Sequence, residues 1–182
     1  MLGQHQLINA SIAICAVGEL RKKHFSIDDN ALEKGLKNTV WKARLQVVKN
    51  AKEEFNITIP QDKVLVFDGS HNPQGAMTLA NAIKELFENK RIHLVLGILK
   101  DKDVQGICDT LVPLASKVTC ITPPSPRAMK KEELQKIVAP LCRGDCDTND
   151  SIKDAVQSSL FGDCDATILC GSLTLFAGLK NN

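Results

Sequence analysis

From residue 63 onward the sequence alternates short apolar runs with amphipathic stretches, and this alternation constrains the fold more than any other feature. The apolar runs have the length and β-branched content of strands, and the stretches between them carry apolar residues at helical spacing. Strands are expected at 63–67, 92–96, 118–121 and 166–170, with a further strand near Cys142. Because strands that alternate with helices are joined by crossover connections, we predict an α/β fold, with a mainly parallel sheet covered by helices on both faces.

The first 62 residues follow a different pattern. Apolar residues at helical spacing predict a first helix between Gln4 and Leu20, and Ser26 marks the expected start of a second short helix. We expect a β segment at 41–48 and a polar linker at 49–62. The domain prediction is therefore a helical segment at 1–40 followed by one α/β domain at 41–182.

Composition excludes several classes of protein. Hydrophobic residues make up 43% and charged residues 24% of the 182 residues, values typical of globular chains. The net charge is only +2, which gives no reason to expect a nucleic acid partner. No apolar run is long enough for a membrane span. The seven cysteines include no C-x-x-C pair, so we expect no metal site and a reducing, cytoplasmic location.

The loops that follow the strands are the places to seek chemistry, because ligands bind beyond the carboxyl ends of parallel strands. The loop at 68–73 places Asp68, Ser70, His71 and Asn72 within a few residues of each other. Asp68 could accept a hydrogen bond from a ribose hydroxyl. A purely structural interpretation is equally open, in which Asn72 caps the next helix and Asp68 accepts hydrogen bonds from loop amides. His24 and His93 have no companions at ligand spacing and are interpreted as surface or strand residues.

Six short motifs in order resemble those of the folylpolyglutamate synthase and dihydrofolate synthase family, within the Mur ligase superfamily. They are GQHQLINA at 3–10, WKARLQ at 41–46, DGSHNP at 68–73, GILKDKD at 97–103, PRA at 126–128 and GSL at 171–173. Six matches spread over nearly the whole chain are far more specific than any one of them. The resemblance implies the C-terminal domain of such a ligase, a Rossmann-like sheet, with 1–40 as the remnant of a central ATPase domain.

In the resembling family, ATP phosphorylates a carboxylate of a folate or dihydropteroate-type substrate, and the amine of glutamate then attacks the acyl phosphate. The resemblance implies ATP and Mg²⁺ as cofactors, with Mg²⁺ held mainly by the central domain. Asn9, Arg44 and Asp68 match family positions that contact ATP: Asn9 near adenine, Arg44 at phosphate and Asp68 at ribose. The guanidinium of Arg44 would stabilise charge that develops during phosphoryl transfer.

His71 and Ser172 match catalytic positions of the family, near the join between nucleotide and glutamate. We interpret them as orienting or charge-stabilising groups, because no Ser-His-acid set accompanies them. For Ser172 the role of N-cap on the last helix is an equal alternative.

The sequence departs from the family in one large and two small ways. It has no G-x-x-x-x-G-K-[ST] motif, so the isolated chain is expected to be inactive and to depend on a separate N-terminal ATPase domain. Ala43 replaces the glycine before Arg44, and Ser70 replaces an alanine. The alternative to a ligase domain is a non-catalytic nucleotide-binding or regulatory module. A dinucleotide-dependent oxidoreductase ranks lower, because G-x-G-x-x-G is absent after the first strand.

Overall fold

The computed structural model describes Gly3 and residues 5–180, without the side chains of His5 and Lys180. Two compact units are present, one ending at Lys42 and one beginning at Ala43. None of the described helices is both long enough and apolar enough to cross a membrane.

The first unit consists of two helices, α1 (His5–Lys22) and α2 (Asp29–Asn38). The expected helix start at Gln4 lies outside the described residues. Helix α2 is capped by Asp28, whose carboxylate accepts a hydrogen bond from the Ala31 amide at 2.6 Å, and not by Ser26 as expected. An ion pair of 2.7 Å between Arg21 and Asp29 joins the two helices. Much of the apolar surface of this unit is exposed: Leu7, Ile8, Ile12, Ile14, Leu20, Phe25, Val40 and Trp41.

The second unit is the predicted α/β fold. Its strands are β1 (Gln46–Val47), β2 (Val64–Asp68), β3 (Ile92–Leu96), β4 (Lys117–Ile121), β5 (Asp145–Asn149) and β6 (Ala166–Cys170). They form one sheet in the order β1-β2-β6-β3-β4-β5, in which β1 alone is antiparallel to its neighbour. The helices are α3 (Ala51–Phe55), α4 (Pro73–Leu86), α5 (Val104–Leu111), α6 (Lys131–Val138), α7 (Ile152–Phe161) and α8 (Thr174–Lys180), and a 3₁₀ turn covers Val112–Leu114.

Successive side chains of each strand point to opposite faces of the sheet, and each face has its own hydrophobic core. On one face Leu94, Leu96 and their neighbours pack against α4, α5 and α6. On the other face Val95 packs with residues of α3, α7 and α8. Because both faces are covered, the central strands are mainly apolar, and this explains why the sequence shows them as nearly continuous apolar runs.

Three further local predictions are wrong. Residues 41–48 contain only a two-residue strand, because Ala43 and Leu45 have positive φ angles of 59° and 44° that no β-strand permits. The expected linker at 49–62 contains helix α3. The strand expected near Cys142 begins at Asp145. This strand, β5, lies at the edge of the sheet and carries polar residues. It therefore lacks the apolar run that identifies the other strands in the sequence.

Candidate functional site

Three neighbouring strands end at the same level on the carboxyl edge of the sheet. Asp68 of β2 and Leu96 of β3 both pair with Cys170 of β6. A glycine follows each of the three strand ends, and Gly97 donates its amide hydrogen to the Cys170 carbonyl at 3.2 Å. Gly171 has a φ of +102°, and a Cβ there would lie 2.5 Å from the Gly97 carbonyl oxygen. The edge is therefore built so that the backbones of adjacent turns lie against each other.

Asp68 fastens two segments to this edge. Its carboxylate is buried and accepts hydrogen bonds from the amides of Leu45, at 2.8 Å, and Ser70, at 2.9 Å. The Ser70 hydroxyl is also hydrogen-bonded to it. Since a carboxylate offers about four acceptor positions, these three donors leave one position unused.

The segment that contains Arg44 is held on both sides. The Ala43 carbonyl accepts a hydrogen bond from the Gly69 amide at 2.7 Å, and the Ala43 amide donates to the side chain of Gln46 at 2.8 Å. Ala43 stands where the resembling family has glycine and adopts the left-handed conformation that glycine favours. Arg44 itself is half-buried and forms no hydrogen bond or ion pair with any described residue. The backbone on both sides of Arg44 is thus held by hydrogen bonds, and none of the donors of its guanidinium is used by a described residue.

His71 lies in the turn between β2 and α4. Its Nδ1 is 2.8 Å from the Gly69 carbonyl oxygen, and because a carbonyl only accepts, Nδ1 carries the hydrogen and donates. Nε2 has no hydrogen-bond partner in the described part of the chain. Asn72 caps α4 by accepting a hydrogen bond from the Gly75 amide at 2.7 Å. The capping role predicted for Asn72 is therefore confirmed, while Nε2 of His71 in the same loop has no described partner.

Ser172 follows the end of β6, next to the strand that carries Asp68. It is buried, and its hydroxyl lies 2.9 Å from the Thr174 hydroxyl and accepts from the Thr174 amide at 3.3 Å. The side chain thus binds the first residue of α8, close to the N-cap role considered from the sequence. Asn9 belongs to the first unit, where it is exposed and donates to the side chain of Gln6 at 3.3 Å. The other four predicted site residues belong to the second unit.

The loops after β3 and β4 are joined to each other. Leu99 and Ala128 form an antiparallel bridge, and the Lys100 amide donates to the Arg127 carbonyl at 2.8 Å. Arg127 also pairs with Asp101 at 2.9 Å. The charges at 100–103 therefore serve partly to hold two loops together, and Asp103 caps α5. Sequence reasoning missed this pair and the contacts of Ser70 and Gln46, because nothing in local spacing reveals partners that are distant in sequence.

A second polar cluster lies on the α7 face, in the amino-terminal halves of β3, β4 and β5. His93 Nε2 is 2.8 Å from the Thr119 hydroxyl, which is 2.5 Å from the carboxylate of Asp147. Lys117 pairs with the other oxygen of Asp147 at 2.9 Å. Burial lowers the pKa of His93 to about 4, assisted by the Lys117 charge and opposed by Asp147. Burial raises the pKa of Asp147, but the hydrogen bonds from Thr119 and Lys117 outweigh it and hold that pKa below its usual value.

This cluster makes stability depend on pH. The pKa of His93 is 6.5 in the unfolded chain and about 4 in the fold, so between these values the unfolded chain binds the proton more readily. We expect the free energy of unfolding of the second unit to fall as pH decreases from 6.5 to 4, by up to roughly 3 kcal/mol. Urea unfolding at several pH values measures the slope. His93→Gln should reduce it, whereas the exposed His24→Gln should leave it unchanged, and a full slope in His93→Gln would contradict the assignment.

The fold and the edge define an α/β domain whose candidate ligand-binding groups stand at the carboxyl ends of parallel strands. The family described as Mur ligase, glutamate ligase domain, matches residues 43–173, and the chain belongs to this family.

Individual relatives agree with this family assignment. The chain is 32% identical to the dihydrofolate synthase/folylpolyglutamate synthase of Bacillus subtilis over 74% of this chain and 29% of that protein. The crystal structures of Mycobacterium tuberculosis folylpolyglutamate synthase complexed with ADP and AMPPCP match with a TM-score of 0.77 and 28% identity, over 97% of this chain and 39% of that one.

The fold also matches the Yersinia pestis bifunctional folylpolyglutamate synthase/dihydrofolate synthase complexed with AMPPNP and Mn ion. The TM-score is 0.70 and the identity 22%, over 89% of this chain and 36% of that one. The chain thus spans 29 to 39% of the length of these proteins.

Proposed function

We propose that this chain is the part of an ATP-dependent folate glutamate ligase that closes over the nucleotide and receives glutamate, working with a separate P-loop domain. The observation that carries the proposal is Arg44, a half-buried arginine without a described partner on a segment tied to the end of β2. A free guanidinium held in this way is suited to phosphate oxygens. The nucleotides in the Mycobacterium tuberculosis and Yersinia pestis structures support ATP as the cofactor.

Each site residue has a proposed task that its surroundings allow. Asp68 accepts a ribose hydroxyl with its remaining acceptor position, and Asn9 contacts the adenine end. His71 presents Nε2, which accepts a hydrogen bond when neutral and donates one when protonated, and so orients the glutamate or stabilises charge beside it. Ser172 is proposed to act on the same side, since β6 lies next to β2.

The phosphates and Mg²⁺ require groups beyond this chain. ATP supplies the activated phosphoryl group, and a P-loop with its amides and lysine holds it, but the motif G-x-x-x-x-G-K-[ST] does not occur in the 182 residues. We propose that the first unit belongs to the domain that carries the P-loop, because its exposed Leu7, Ile8 and Ile12 suit burial in a larger core. The Mn ion in the Yersinia pestis structure supports a divalent metal as part of the complete site. The free thiols of the chain support a cytoplasmic location.

The proposal is tested by comparing the chain alone with a fusion to the P-loop domain of a dihydrofolate synthase/folylpolyglutamate synthase. With ATP, glutamate and a folate present, we expect the chain alone to release no ADP. Without a P-loop it cannot hold the phosphates of ATP. The fusion should form the glutamylated product, followed by mass spectrometry. Turnover by the chain alone would contradict the proposal that activity requires a separate P-loop domain. A fusion that binds ATP without forming product would favour the regulatory alternative.

A further inference from the structure

A cavity of about 390 Å³ opens on the α7 face, away from the glycine turns of the carboxyl edge. Its walls come from the amino-terminal parts of the strands and from the end of α7. Arg91 stands just before β3, Lys117 and Asp145 begin β4 and β5, and Ser158 and Gly162 lie on and after α7. The volume is within the range of sites that bind small molecules.

The hydrogen bonds on the cavity floor have a defined direction. A carboxylate only accepts, so the Thr119 hydroxyl donates its hydrogen to Asp147. The oxygen of Thr119 must then accept from His93 Nε2, which therefore carries the ring hydrogen. The pKa of His93, lowered to about 4, keeps the ring neutral at pH 7. It follows that Nδ1 of His93 is a hydrogen-bond acceptor.

This acceptor is available to a ligand. His93 is 95% buried as a residue, yet Nδ1 forms no hydrogen bond with any described residue. Among the described residues, no fully buried side-chain nitrogen or oxygen lacks a partner, so Nδ1 must reach accessible space. The accessible space that His93 lines is this cavity.

A second free acceptor lies in the same row of the sheet. His93 pairs in register with Lys117, and Lys117 with Asp145, so the three side chains project from the same level of three adjacent strands. The carboxylate of Asp145 is exposed and forms no hydrogen bond or salt bridge with a described residue, although its charge contributes to raising the pKa of Lys117. Lys117, between the two, is engaged by Asp147.

The charges of the lining also favour a cation. Arg91 and Lys117 contribute two positive charges, and three carboxylates oppose them. Two of those carboxylates are paired: Asp147 with Lys117, and Asp163 with Arg91. The charge left over is the one on Asp145, at the cavity rim.

We propose that this cavity binds a small primary ammonium compound with a second hydrogen-bond donor, the ammonium pairing with Asp145 and the other donor bonding to His93 Nδ1. Two strand spacings, about 10 Å between backbones, separate the two residues. A two-carbon amino alcohol with a hydrogen bond of about 3 Å at each end spans a similar length. The site lies apart from the proposed nucleotide edge and does not depend on ligase activity.

The test uses the whole chain and ethanolamine as the probe, with amide chemical shifts recorded by NMR at pH 7 and constant ionic strength. We expect saturable shifts at cavity residues such as Thr148 and Gly162, with a Kd of about 1 mM, which is within the reach of a ligand of this size. Ethylene glycol, which lacks the charge, and acetate, which has the opposite charge, should cause no saturable shift.

Asp145→Asn should weaken ethanolamine binding about tenfold or more. Asp109→Asn removes an exposed carboxylate on α5, on the opposite face of the sheet, and should leave the affinity unchanged. Thermal melts of both variants check that each remains folded. The proposal is overturned if folded wild-type chain shows no saturable shift, if acetate acts like ethanolamine, or if Asp145→Asn binds as tightly as the wild type. Because no ATP or P-loop domain is present, these outcomes leave the ligase proposal untouched.

Discussion

Arg44→Ala in the fusion with a P-loop domain is expected to lower kcat about 100-fold or more, or roughly 3 kcal/mol, which is the usual scale for losing one electrostatic contact to a transition state. Arg44 has no described partner, so its charge does little for the fold. Its neighbours are fixed to Gly69 and Asp68. Under the proposed function, the guanidinium would therefore reach phosphate only when this domain closes on the P-loop domain. The contribution should therefore appear in kcat more than in the KM for ATP.

Two further variants separate geometry from charge. Arg44→Lys keeps the charge but replaces a planar fork by a single ammonium, so it should restore only part of kcat. Arg143→Ala removes an exposed arginine from the loop before β5 and should leave kcat unchanged. Steady-state kinetics, with thermal melts to confirm folding, provides the comparison. A near wild-type kcat in Arg44→Ala would remove this residue from the site.

Gly171→Ala is expected to lower the free energy of unfolding of the second unit by about 3 kcal/mol or more. At φ = +102° an alanine is strained, which costs about 1 to 3 kcal/mol, and its Cβ would lie 2.5 Å from the Gly97 carbonyl oxygen. A backbone oxygen in the middle of a sheet edge cannot move aside as a flexible side chain can. The melting temperature should fall by roughly 10 °C.

Gly35→Ala is the matched control, because that glycine lies in a helix with nothing within 4 Å of an added Cβ. Alanine is also the better helix former there, so no loss of stability is expected. Urea and thermal unfolding, followed by circular dichroism, measure both variants. Equal stability of Gly171→Ala and wild type would show that the turn after β6 can rearrange, and would contradict the packing described for the carboxyl edge.

The sequence predicted those parts of the fold that depend on local pattern. The strands at 92–96 and 166–170 were expected at their observed limits, because strands buried on both faces are mainly apolar. The cap of α4 by Asn72 was foreseen for a similar reason, since an asparagine before a proline that begins a helix satisfies an open amide within three residues. The family, too, could be recognised from the motifs alone, and the match at 43–173 confirms it.

Contacts between segments far apart in the sequence could not be predicted from local sequence patterns. Leu45 and Ala43 have β-forming neighbours, yet their backbones turn to positive φ because Asp68 and Gly69 bind them from more than twenty residues away. The last strand, β6, inserts between β2 and β3, and this order brings the turn with Ser172 beside the one with His71. The roles of Arg44, Asp68, His71, Ser172 and Asn9 remain predictions that the kinetic experiments address.

His93 shows most clearly the difference between what local sequence predicts and what the tertiary structure decides. From the sequence it was interpreted as a surface or strand residue without companions. It is indeed in a strand, but parallel register sets it beside Lys117, and the pleat turns it toward Thr119 and Asp147. The sequence by itself determined most of the strands and helices after residue 62, and which loops carry polar groups, because those depend on neighbours along the chain. Only the tertiary structure decided which polar groups meet, because hydrogen bonds and burial depend on register and strand order, which join residues far apart in sequence.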